Sequence, residues 1–225
     1  MFGRRKKKAP QQPMQQVDDG GWDFDRLTPQ ERDDRAGHWP EEVDEALRFA
    51  RDVVSSGFHD QAGVREALRD TYDTLAPDRV SVDAIADQAW SERLAEQATW
   101  SGPGDHDKVA GVFASLADRG IVARMNFACC QHCGHGEIRD EVDDPSAWRG
   151  YTFFHAQDAE GLGDEPARLW LAFGAFDRSD ATELAVATDV AEELRAAGLR
   201  VEWDGTTSAR IQIVDLHWRK PLPTA

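Results

Sequence analysis

The sequence predicts an α+β fold, with an N-terminal three-helix unit followed by a mostly antiparallel sheet packed with two helices. Three observations predict it. Apolar residues recur at helical spacing in three consecutive segments between residues 40 and 98. After residue 104 an amphipathic stretch to residue 119 gives way to short runs suited to strands, interrupted by a second such stretch at residues 180–197. The run Leu169 to Phe176 is apolar on both faces, which suits a central strand.

The elements follow in order. Residues 1–39 read as a disordered, basic-tipped tail, rich in Gln, Pro, Asp and Gly, in which Trp22, Phe24 and Leu27 suggest a short docking segment. The three-helix unit spans residues 40–100. Its first helix, 40–56, sets Val43, Ala46, Leu47, Ala50, Val53 and Val54 inward and stops at Gly57. A second, 61–75, uses Val64, Ala67, Leu68, Tyr72 and Leu75, with Asp60 as cap and Pro77 beyond its end. The third runs from Val82 to Ala98 behind the cap Ser81. Thr99 to Gly104 read as a linker to the α+β domain at 105–220.

In that domain Asp105 is the expected cap of a helix through Arg119, and Ile121 to Phe127 a strand. Further strands are expected at Gly136–Glu141, Tyr151–Ala156 and Leu169–Phe173. Asp180 and Glu183 predict a capping box for a helix through Ala197. Leu199–Trp203 and Ile211–Leu216 predict a hairpin around Asp204-Gly205.

Charge restricts the function classes. The chain has 225 residues with 26 basic and 42 acidic side chains, a net charge of −16. Five of the basic residues, Arg4, Arg5, Lys6, Lys7 and Lys8, precede the first acid, which leaves a body of 21 basic and 42 acidic groups, a net of −21. Such a body repels phosphate backbones, so nucleic-acid binding by the folded part is not expected. It does suit an acidic protein partner of the inhibitor or immunity type, which masks a basic surface. Neither a signal-peptide core nor a membrane-length apolar run is present, and Phe2 does not suit N-myristoylation, so a cytoplasmic location is expected.

All three cysteines lie within five residues, in Cys129-Cys130-Gln131-His132-Cys133-Gly134-His135. In a reducing compartment such clustering points to metal, redox chemistry or a special turn. Cys130 and Cys133 have the two-residue gap of a zinc knuckle, which lets two thiolates turn toward one ion. The expected zinc ligands are Cys130, Cys133, His135 and His155, with Cys129, His132 and Asp158 as weaker candidates. Buried, inert thiols are the competing bland reading. Thiol redox chemistry ranks lower, because Gly134 and Gly136 argue against the following helix that lowers a thiol pKa. A cysteine nucleophile with His155 as base ranks last, without an oxyanion-hole signature. The sequence thus leans toward a non-enzymatic module.

The segments Gly120-Ile121-Val122-Ala123-Arg124, Asn126-Phe127, Cys129-Cys130-Gln131, Cys133-Gly134-His135 and Glu137-Ile138 resemble a bacterial family catalogued as domain of unknown function 6891. Arg149-Gly150-Tyr151, Phe154-His155, Gln157-Asp158, Leu169 to Gly174 and Trp203-Asp204-Gly205 extend the resemblance, which covers about residues 40–220. It implies no activity. In the family pattern position 132 is a small polar residue, which leaves Cys129, Cys130, Cys133, His135 and His155 as the group of interest.

Overall fold

The computed structural model describes residues 39–72 and 81–224. The tail, its Trp22–Leu27 segment and the Pro77 helix stop lie outside them. Three helices come first: α1 (Trp39–Ser55), α2 (Gln61–Tyr72) and α3 (Val82–Gln97). Their inward stripes meet in one apolar core of Ala46, Ala50, Val54, Val64, Leu68 and Ile85. The hydroxyl of Ser81 accepts the Ala84 N–H and caps α3, as its sequence position suggests.

Helix α4 (Asp105–Ser115) continues as a 3-10 turn to Arg119. It leads into β1 (Ile121–Arg124), α5 (Gln131–Glu137), β2 (Gly150–Phe153), the single turn α6 (Ala156–Ala159) and β3 (Ala167–Ala175). Then come α7 (Asp180–Ala196), β4 (Arg200–Glu202) and β5 (Ile211–Leu216). The strands form one sheet in the order β1-β2-β3-β5-β4. Only β1 and β2 run parallel. The long apolar strand β3 is central, and β4–β5 is the expected hairpin.

Val109 and Val112 of α4, and Val186, Val190 and Leu194 of α7, pack with Leu169, Leu171 and Ile213 of the sheet in the main core. A smaller cluster of Val122, Ile138 and Phe176, flanked by Phe127 and Tyr151, backs α5. The two parts share side chains. Trp218 is buried against Phe58 and Phe154, and its indole donates to the Ser56 carbonyl at 3.0 Å. Leu222 returns to the core of the three helices.

Three local expectations are corrected. Residues 136–141 are not a strand; they complete α5 and then tighten into a 3-10 turn over Ile138–Glu141. The capping box at Asp180 and Glu183 does not form, because Ser179 is the cap residue and makes no side-chain bond to the helix. Asp105 lies inside α4, where its carboxylate accepts the His217 N–H at 2.8 Å and ties the helix to the end of β5. Among the described residues no helix is long and apolar enough to cross a membrane.

Candidate metal centre

The cysteine loop begins where β1 ends. Arg124 accepts the Phe154 N–H at 3.3 Å, Phe127 donates to the Phe154 carbonyl at 2.8 Å, and Ala156 donates to the Ala128 carbonyl at 3.1 Å. These bonds carry the parallel pairing of β1 and β2 beyond the strands. To make them the chain bends through positive φ at Asn126 (51°) and Ala128 (59°). Asparagine tolerates that conformation, whereas alanine in it costs about 1–2 kcal/mol. The strain sits immediately before the cysteines.

Cys130 is extended at the start of α5, and its carbonyl accepts the Gly134 N–H at 3.0 Å. A helix therefore does follow the cysteines, against the reading of Gly134 and Gly136 as helix opponents. Packing decides it. A Cβ on Gly134 would stand 2.3 Å from the Phe153 ring, so only glycine lets α5 lie this close to β2. Close contact there outweighs the roughly 1 kcal/mol that a glycine costs a helix interior. Around Gly136 there is open space.

This turn brings Cys129, Cys130 and Cys133 together. Their sulfurs all lie within 4.8 Å of one another, Cys129 exposed and the other two half-buried. All three are free thiols. The Cys130 thiol is held below its ordinary value, first by the Cys133 backbone N–H and then by the Cys133 thiol. Hydrogen bonds to the Cys129 and Cys130 thiols push Cys133 up to about 12. Three sulfurs this close resist sharing three negative charges, and a bound cation removes that repulsion. The cluster can thus hold a metal ion.

The histidines are engaged elsewhere. His135 packs on Phe153 and Tyr151. Its Nδ1 lies 2.9 Å from the Tyr151 hydroxyl, and its Nε2 lies 3.3 Å from the Gln131 amide nitrogen. The amide can only donate, so Nε2 accepts and Nδ1 carries the proton. Burial, then the charges of Arg210 and His132, lower its pKa.

His155 is buried at the start of α6. Its Nδ1 accepts the Asp158 N–H at 3.3 Å, while Asp158 accepts the His155 N–H at 3.2 Å, a reciprocal cap. Its Nε2 is 3.0 Å from the Asp158 carboxylate. Arg210 grips that carboxylate through both terminal nitrogens and also donates to the Trp170 carbonyl at 2.6 Å. His155 and Asp158 form a strand-end cap, and His155 has no free nitrogen to act as a base. Of the four expected zinc ligands, Cys130 and Cys133 converge with Cys129; His135 and His155 are not part of that cluster. Nothing in the sequence pointed to Arg210, whose partners are 52 and 40 residues away.

An α+β protein with a surface cluster of three thiols is the class that fold and site define. Residues 40–222 match the family model Domain of unknown function (DUF6891), and the chain belongs to that family. No curated protein and no solved structure matches it.

The Gly134 packing predicts a contrast. Gly134→Ala should lose about 1–3 kcal/mol through overpacking on Phe153, whereas Gly136→Ala should be neutral or gain up to about 1 kcal/mol. Urea unfolding midpoints check this, and equal effects would contradict it.

A pH dependence follows from His135, His155 and His106, the last in the first turn of α4 and packed edge-on against Trp218. Burial is the leading cause that lowers all three from 6.5. The unfolded chain therefore binds protons more readily, and stability present above pH 6.5 is lost as pH falls through the folded values. Unfolding midpoints measured at roughly unit steps between about pH 5 and pH 8 should decline toward acid. His106→Gln should flatten that decline.

Proposed function

We propose that the chain is a non-enzymatic module whose cysteine loop holds zinc through Cys129, Cys130 and Cys133. The observation that carries this reading is the convergence of the three sulfurs. Around a tetrahedral zinc with bonds of about 2.3 Å, thiolates stand about 3.8 Å apart. Small side-chain rotations bring the cluster to that spacing. Thiolates are soft donors suited to zinc, and the ion offsets the repulsion among three thiolates set this close together. A reducing, cytoplasmic compartment belongs to this reading, because it keeps the thiols free.

The non-enzymatic part rests on His155. Its tie to Asp158 denies a cysteine nucleophile its base. His135 is likewise held by Tyr151 and Gln131, so the sulfurs carry the reading and the histidines do not.

Metal analysis of the full chain, purified under reducing conditions, tests the proposal. One zinc per chain is expected in the wild type, and far less in Cys129→Ser and Cys133→Ser. Equal zinc in the wild type and Cys133→Ser would defeat it.

A further inference from the structure

We infer that the cysteine cluster is an open three-thiolate site, in which a monodentate thiol from outside the chain takes the ion's fourth position. The inference rests on the zinc reading above and says what completes the coordination.

Four observations carry it. First, the donor count stops at three: among the described residues no histidine, aspartate or glutamate joins the three sulfurs. Second, the two expected histidine ligands are committed, His135 to Tyr151 and Gln131, and His155 to Asp158. Third, backbone bonds and packing hold the loop. The Phe127–Phe154 and Ala156–Ala128 backbone bonds, the Cys130–Gly134 turn and the seating of Gly134 on Phe153 fix it. Structural zinc sites are closed by four protein ligands and fix folds that are otherwise unmade, whereas sites with three protein ligands keep a position for an incoming group. Fourth, the cluster is accessible. Cys129, Gln131 and His132 are all exposed around it.

The chemistry of the three donors selects the fourth. Three thiolates make a soft environment, and a soft sulfur donor matches it better than a carboxylate. The thiol binds as thiolate: its sulfur forms the new metal bond, its proton goes to solvent, and the water that held the fourth position leaves to solvent. No electron changes hands.

Cobalt(II) replaces zinc in the test, because its visible bands report the ligand set. The full chain is loaded with cobalt under anaerobic, reductant-free conditions and titrated with 2-mercaptoethanol. The expected result is a saturable change in the thiolate–cobalt bands with cobalt retained on the protein after desalting. The same titration is expected in His132→Ala and His135→Ala, with unchanged starting spectra. Bands indifferent to the thiol would overturn the inference. So would a starting spectrum altered by either histidine substitution, which would reveal a protein nitrogen in the fourth position. Loss of cobalt to the thiol would overturn it too. Failure of the wild type to bind cobalt or zinc at all would overturn the metal reading itself.

Discussion

Phe127 donates to the carbonyl of Phe154 and Ala156 donates to that of Ala128, and between these bonds the chain must leave one strand and enter a helix within a few residues. The arrangement of the site follows from that constraint. It forces Asn126 and Ala128 into the left-handed region and sets Cys129 and Cys130 at the mouth of α5. It also brings Gly134 of α5 onto Phe153. Behind it, α4, α7 and the central strand β3 form the main core, so the loop is anchored to the most buried part of the sheet. The cysteines meet because the backbone is held, and their mutual distances are a consequence of the fold.

Much of this was legible in the sequence. Helical spacing located α1, α2 and α3 within a few residues wherever they are described, and the unbroken apolar run of β3 marked the central strand. The Asp204-Gly205 turn marked the hairpin of β4 and β5. The cysteine loop itself was read less well. Glycine propensity argued against a helix at Gly134, but propensity is a local quantity, and the contact with Phe153 lies 19 residues away in sequence. For the same reason 136–141 looked like a strand, since Ile138 and Val142 give no period long enough to separate the two readings. At Asp180 the capping pattern was present and the bond was not, because a side-chain cap needs backbone geometry as well as residue type.

The candidate ligands divide along similar lines. Cys130 and Cys133 were identified by spacing alone, since a two-residue gap within one turn fixes their separation. Cys129 ranked lower because the zinc-knuckle spacing singles out Cys130 and Cys133; following the left-handed Ala128, it joins them. His155 looked available because it ends a strand beside the cysteine loop, where a ligand and a capped strand terminus read alike. Its cap with Asp158 is local, three residues on, whereas the grip of Arg210 from the loop before β5 is a long-range contact. The acidic body, with its net charge of −21, bears on partners and not on this nearly neutral corner of the molecule.

The atoms around the ion define the site. X-ray absorption at the zinc edge of the metal-loaded full chain, without added thiol, reads them directly. Three sulfur neighbours and one lighter atom are predicted. Two sulfurs with two nitrogens, the set made by Cys130, Cys133, His135 and His155, would contradict it.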